Sequence, residues 1–431
     1  MRRLVMAAIM VVVALCAWAA PKAEEGTITV TLLATHDAVS ESVAKLWVTS
    51  MLPQKVASRW LTVNLADGST ISMDMLVAAG SYPNIYNDFT GRASRFMVRT
   101  DGWKAMDLTK YTDVAQYYDL APWTRDGKLL GVPSQIPLQA MGLNLDLLKE
   151  AGYTVPKNWT TDDFLAMCKA VAKLPGKYGT ALFAKNQSAD YLWMNWFGCF
   201  GAKVFTGGDY SKTTLNSPQG IATVAFLGNL VHEGYAPKDS SDLWDDAAIE
   251  LWQKGLVAAM PIRPDWIGGY MKTAVEQKLI PKAFEYTMVP MPVAAGVKAV
   301  PTIGAGSTAV VYESGNTAMD TAAAKLAVML AGREYQQAVM DMPEANNTWG
   351  GWPTRKDVTN PKLSGVNLAM WTTVNDILKT AGVMDVGYTL PQYAAIRAEL
   401  FPRMSQVYLG KETPEVALAK FEKTVNDILK K

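Results

Sequence analysis

Strand-like and helix-like segments alternate through the first quarter of the chain, and this restricts the fold to a sheet covered by helices. Thr27 to Leu33 alternates β-branched and apolar residues and predicts the first strand. His36 and Asp37 follow it, then a helical stretch near Ser42 to Trp60 and a second strand over Thr62 to Leu65. Met73 to Ala79 reads as a helix stopped by Gly80, and Pro83 to Tyr86 as a short strand with Asn87 and Asp88 in the loop after it. The order predicts an α/β fold with a parallel, doubly wound sheet.

The centre of the chain is more helical. Leucines of Asp146 to Glu150 precede Ala151-Gly152, and Thr161 is placed to cap a helix running to Leu174. Ser217 is placed to cap another, with Pro218 in its first position. His232 lies inside that helix and reads as structural. Strands are expected at Met288 to Pro292 and Ala309 to Tyr312, a helix pair over Ala322 to Met340, and a last helix over Glu415 to Leu429. A chain of 431 residues, 49% of them hydrophobic, supplies more core than one domain uses, so two domains are expected.

The N-terminus carries the marks of a secretion signal over residues 1–19. Arg2 and Arg3 are followed by the apolar run Leu4 to Leu15, and Ala17-Trp18-Ala19 fits cleavage before Ala20. The alternative is lipid attachment at Cys16, although Leu15 before it is larger than that processing favours. Beyond the signal only Cys168 and Cys199 remain, either as two buried thiols or as one disulfide. Basic and acidic residues balance at 41 against 40, which argues against nucleic acid or a polybasic membrane surface as partner.

No sequence pattern marks a metal site, a nucleophile elbow or a phosphate loop, and no cofactor is implied. Nothing singles out one carboxylate pair for glycoside hydrolysis, so no enzyme is indicated.

Several segments resemble, in order, the extracellular solute-binding proteins of ABC importers, family 1. MLVAAGSYPNIY, Met75 to Tyr86, is similar to the family's "aalASGdyPDv", with Asn84 in place of Asp. Gly127 to Gly152 resembles "G-vyGvP…lyYNkdlfkkaG", with Leu143 where Tyr is usual. Pro156, Trp159, Asp163 and Phe164 follow "P-tWdeFl". TLNSPQGIATVAFLGNLVHEGYAP, Thr214 to Pro237, resembles "tlnspea--al-fl-dLv-eGyap" at nearly every position. LWQKGLVAAM, GGWPTRKDV and GKETPEVAL continue the resemblance to the C-terminus.

The resemblance implies two doubly wound lobes joined by a hinge, the type II periplasmic-binding-protein fold. The first lobe would comprise residues 24–135 and 300–345, and the second residues 136–299 and 346–431. It also implies a monomeric receptor, periplasmic or lipid-anchored, that captures a sugar between the lobes and passes it to an ABC importer permease.

Ligands of doubly wound sheets sit beyond the carboxyl ends of strands, which nominates His36, Asp37 and Asp88 as hydrogen-bonding groups. Helix capping is the competing role for both carboxylates. Sugar rings also stack on aromatic faces, which nominates Trp193 and Trp196 at helical spacing with Asn195 between them, and above all Trp266 beside Asp265. Trp349 and Trp352 flank two glycines. Gly304, Gly306 and Ser307 are placed to offer backbone N–H groups, and Gln139 follows the first expected crossing. Arg263 and Arg355 suit an acidic or phosphorylated sugar, with a structural ion pair the competing role for Arg355.

Overall fold

The structure is a computed structural model that describes residues 25–61, 72–99, 101–134, 140–186, 189–298, 300, 306–341, 353–359 and 384–431, with 368, 371–372 and 375–376. The signal segment, Cys16, the expected strand at Thr62 to Leu65, Gln139, Gly304, Trp349 and Trp352 lie outside the described residues.

The first lobe is built on a five-stranded sheet. Its opening elements are β1 (Ile28–Leu33), α1 (Ala38–Ser50), β2 (Val56–Trp60), α2 (Met73–Ala78), β3 (Ile85–Phe89) and α3 (Thr90–Met97). The second strand comes earlier than expected because Pro53 cannot continue the helix begun by Ala38. The third runs later, so Asn87 and Asp88 are strand residues. Gly80, at φ +67°, closes the turn after α2 as its sequence position suggested. The departure at Asn84 is neutral for its local task, because its Oδ1 accepts from Thr31 N at 2.8 Å, as an Asp oxygen would.

A short hairpin, β4 (Thr124–Arg125) and β5 (Lys128–Leu129), precedes the edge strand β6 (Val132–Pro133). The chain then leaves for the second lobe, whose sheet has β7 (Ala140–Asn144) between β8 (Ala259–Ile262) and β9 (Tyr286–Val289), both antiparallel to it. Helices α4 (Leu145–Glu150), α5 (Thr161–Val171), α6 (Ala189–Cys199), α7 (Pro218–His232), α8 (Asp245–Gln253) and α9 (Pro264–Glu276) belong to this part of the chain. The capping assignments hold to within a residue. Thr160 rather than Thr161 caps α5, in a reciprocal box with Asp163, and Ser217 caps α7 with Pro218 first.

The chain returns as β10 (Ser307–Val311), followed by α10 (Thr317–Ala331) and α11 (Arg333–Met340). β10 slots between β3 and β6 and runs antiparallel to both, giving the order β2-β1-β3-β10-β6. The first sheet is therefore mixed rather than wholly parallel. A strand arriving from the other lobe needs no right-handed helical crossover, so nothing fixes its direction to that of β3. Alanines of α10 (Ala322, Ala323, Ala324, Ala327 and Ala331) are fully buried, and Trp47 of α1 donates its Nε1 proton to Ala322 O at 3.1 Å.

Past the boundary expected at residue 345 the chain still contacts residues 116–118. Residues 353–359 remain with the first lobe: Tyr118 N donates to Thr354 O at 3.0 Å, and Lys356 N to Gln116 O at 2.7 Å. The remaining helices are α12 (Tyr393–Ala398), α13 (Leu400–Tyr408) and α14 (Pro414–Leu429). The last two pack on α7, where His232 Nε2 meets Val407 O at 3.0 Å, the structural role expected of it. Residues just before them touch both lobes. Arg125 donates to Thr389 O at 3.1 Å, while Tyr210 donates to Asp385 at 3.3 Å.

Cys168 and Cys199 are both free and buried, and burial pushes both thiols up. Among the described residues no helix is long and apolar enough to cross a membrane.

Candidate functional site

The carboxyl ends of β1, β2 and β3 meet at one edge of the five-stranded sheet. So do the end of β6 and the start of β10, because β10 runs the opposite way. Ala34 and Thr35 leave β1 there, Trp60 ends β2, and Asn87, Asp88 and Phe89 end β3. Ser134 follows β6 and Ser307 opens β10, so the chain leaves and rejoins the first lobe at the same place. Together with Tyr335 of α11 these residues line a hollow of about 60 Å³. That is small beside the roughly 300–1,000 Å³ of a whole small-molecule site, so the hollow suits one end of a ligand.

Buried hydrogen bonds fix this edge. Thr90 sends both its N–H and its hydroxyl to Gly306 O at 2.6 Å. Its Oγ1 also meets Thr308 Oγ1 at 2.7 Å, and Trp123 Nε1 donates to Thr308 Oγ1 at 2.9 Å. Ser134 N donates to Ser307 O at 2.9 Å. On the outgoing strand, Thr354 Oγ1 donates to Pro133 O at 3.0 Å, and Thr354 N donates to Gln336 Oε1 at 2.8 Å. Each atom named in these bonds has its partner, which holds the ends of β6 and β10 in one geometry. Gly306 and Ser307 thus lie at the site, with their carbonyls already engaged.

The residues nominated from the sequence separate into three groups. His36 and Asp88 do come to this edge, with Asp37 beside them. The His36 ring is exposed and lies flat on Trp60, with centroids 4.7 Å apart and planes 10° from parallel. Asp37 caps α1 by accepting from Ser40 N at 2.8 Å. Asp88 is engaged through both oxygens: Oδ1 accepts from Phe89 N at 2.6 Å and Arg92 Nη2 at 3.0 Å, Oδ2 accepts from Tyr86 Oη at 2.8 Å, and Arg92 Nε lies 3.0 Å from Oδ2 as an ion pair. Burial, and after it the Asp88 charge, push the Tyr86 phenol up, which keeps it a donor.

The second group is core. Trp193 and Trp196 are fully buried in α6, and Asn195 between them is 1% exposed. Trp193 Nε1 donates to Tyr408 Oη at 3.0 Å, and the Trp196 ring packs on Phe164 and Phe226. Helix α6 is apolar on more than one side, so no face of this aromatic cluster is left for a ligand. Arg355 is also structural. It is 7% exposed, binds Asp357 through Nε at 2.8 Å and Nη2 at 2.7 Å, and lies 5.0 Å over the Tyr117 ring.

The Arg355 pair has a pH signature. Its hydrogen bonds hold the Asp357 carboxyl below the ordinary 3.8, more strongly than burial opposes them. A depressed folded value gives stability that is present above the unfolded value and lost as pH falls through the folded one. Asp357→Asn should therefore lower the urea midpoint near neutral pH, and the gap from wild type should close as pH falls below the ordinary carboxylate value of 3.8. A gap independent of pH would show that the ion pair is not its source.

The third group lies on the other lobe. Arg263 is the half-buried residue between β8 and α9, and Asp265 and Trp266 fall in the first turn of that helix, not in a loop. Arg263 is not among the residues lining the hollow.

Sequence reasoning missed Trp60, Asn87, Ser134 and Tyr335. Trp60 carried only a weak signal, because the strand it ends, VASRW, has a single β-branched residue and the stronger run begins at Thr62. Among the described residues no group of His, Cys, Asp and Glu is arranged to hold a metal ion.

The whole fold has known counterparts. It is similar to the cyclic α-maltosyl-1,6-maltose binding protein of Arthrobacter globiformis, with TM-score 0.73, 18% identity, and 94% of this chain and 100% of that chain covered. It is also similar to the sugar-binding protein MalE of Xanthomonas citri, with TM-score 0.70, 18% identity, and coverage of 93% and 97%. The GacH receptor of Streptomyces glaucescens, solved unliganded and with acarbose, gives TM-score 0.68, 18% identity, and coverage of 94% and 99%. No curated protein matches the sequence. The sequence family of bacterial extracellular solute-binding proteins matches residues 62–371, a span that takes in both sheets' later strands and the crossings between them. With a two-sheet fold of that architecture and a hollow where its crossings meet, the chain belongs to the bacterial extracellular solute-binding proteins.

Proposed function

We propose that this protein is the receptor of an ABC importer, and that it captures a carbohydrate between its lobes for delivery to a membrane permease. The observation that carries this reading is the hollow at the two crossings, where Trp60 offers an aromatic surface beside serine, threonine and amide groups. A sugar has the matching chemistry, with C–H faces that lie on aromatic rings and hydroxyls that donate and accept. The similar structures support it, being described as binding a cyclic maltosyl-maltose, a sugar and acarbose.

The ligand spans more than the hollow. Arg263, Asp265 and Trp266 contribute from the second lobe, and Gln139, Gly304, Trp349 and Trp352 complete the site from segments outside the described residues. A ligand touching both lobes favours the closed arrangement, a population shift that the permease then reads. The chain is exported by its N-terminal signal and acts as a periplasmic monomer, with lipid attachment at Cys16 as the alternative; mass spectrometry of the mature N-terminus separates the two.

The test is a thermal-shift screen across neutral oligosaccharides, sugar acids, sugar phosphates and polyamines, with products analysed for each hit. A ligand bound only by the native state raises the melting point. We expect a carbohydrate to give the largest rise and to be recovered intact. Sugar turnover would make the protein an enzyme, and a response confined to polyamines or phosphates would replace the ligand class.

A further inference from the structure

The charge of the ligand is readable from what the hollow has already used. The hollow lies between the starts of α1 and α3, and helix starts attract anions through their free N–H groups. Here the protein supplies the anions itself. Asp37 caps α1, and Asp88 takes the Phe89 N–H at the start of α3. Phe89 and Arg92 donate to Oδ1 of Asp88 and Tyr86 donates to its Oδ2, with Arg92 also its ion-pair partner. Asp88 therefore fills the start of α3 with a carboxylate whose charge is already shared with Arg92. Arg92 is paired with Asp88, Arg397 lies 5.7 Å from the centre of the Phe89 ring, and no Lys or Arg is among the described residues lining the hollow.

Its neighbour has the complementary property. Asn87 lines the hollow, and its Oδ1 is buried with no hydrogen-bond partner among the described residues. An unmet buried acceptor is unfavourable until something donates to it. We propose that this subsite selects the neutral, hydroxyl-bearing end of a sugar through donation to Asn87 Oδ1, and rejects acidic sugars because Asp37 and Asp88 already occupy the anion-binding positions. The inference rests on the carbohydrate-receptor reading and settles a choice that Arg263, on the other lobe, had tilted toward an acidic ligand.

The experiment is calorimetric titration of the full chain with the best neutral saccharide and with the same saccharide oxidised at its terminal residue to the uronic acid. Wild type should bind the neutral form at least about tenfold tighter, as expected when one buried charge is left unpaired. Asp88→Asn should shrink that preference. Asn87→Ala should weaken the neutral saccharide by about tenfold without lowering the melting point of the free protein, since its Oδ1 gives up no hydrogen bond to the described residues. A fall in melting point with unchanged affinity would make Asn87 structural and overturn the proposal. Equal or tighter binding of the acid would overturn the charge selection while leaving the receptor intact. Failure of every saccharide to bind would instead remove the carbohydrate reading and this inference with it.

Discussion

Trp193→Ala is expected to destabilise the protein by about 3–5 kcal/mol, the range for deleting a large, fully buried aromatic ring. Trp193 has no exposed surface, and its indole N–H satisfies the Tyr408 hydroxyl, itself buried, at 3.0 Å. Truncation opens a cavity between α6 and α13 and also strands that hydroxyl. Urea unfolding measures the effect, and Trp193→Phe should recover most of the packing but not the hydrogen bond. A loss below about 1 kcal/mol would contradict a core role. This tryptophan was one of the sequence's candidates for ligand stacking, so the result also decides between the two roles.

Trp60→Ala should show the opposite pattern. Trp60 is half-buried at the end of β2, with His36 on one side and the hollow beside it. Its loss leaves the sheet register of β1 and β2 intact, so stability should fall by no more than about 1 kcal/mol. Ligand affinity should fall by about 2 kcal/mol, roughly thirtyfold, the scale of an aromatic anchor in a binding site. Calorimetry with the best saccharide reads it. Unchanged affinity would take Trp60 out of the site.

The contrast between these tryptophans shows what could be read from sequence. Helix caps and stops were legible because they depend on local chemistry: Ser217 and Pro218 start α7, and Gly80 ends the turn after α2. The two-lobed architecture was legible through many short motifs in the right order. Strand edges were less so. Placing β2 a few residues late hid Trp60, and ending β3 early put Asp88 in a loop when it is a strand residue anchored by four contacts.

The direction of β10 was not legible at all, since it is set by the path through the second lobe and not by any residue within the strand. Burial was the other blind spot. Trp193 and Trp196 share a helix face at a spacing that fits either a platform or a core, and only the packing of α6 against its neighbours decides. The same holds for Arg355, whose partner Asp357 is two residues away and whose burial comes from Tyr117 far along the chain.

The most direct test of the account is a crystal structure with the saccharide that most raises the melting point. The account predicts a sugar ring against Trp60, a hydroxyl within about 3 Å of Asn87 Oδ1, and further contacts from the second lobe around Arg263 and Trp266. A saccharide bound away from the edge where β1, β2 and β3 end, with Trp60 and Asn87 untouched, would contradict it.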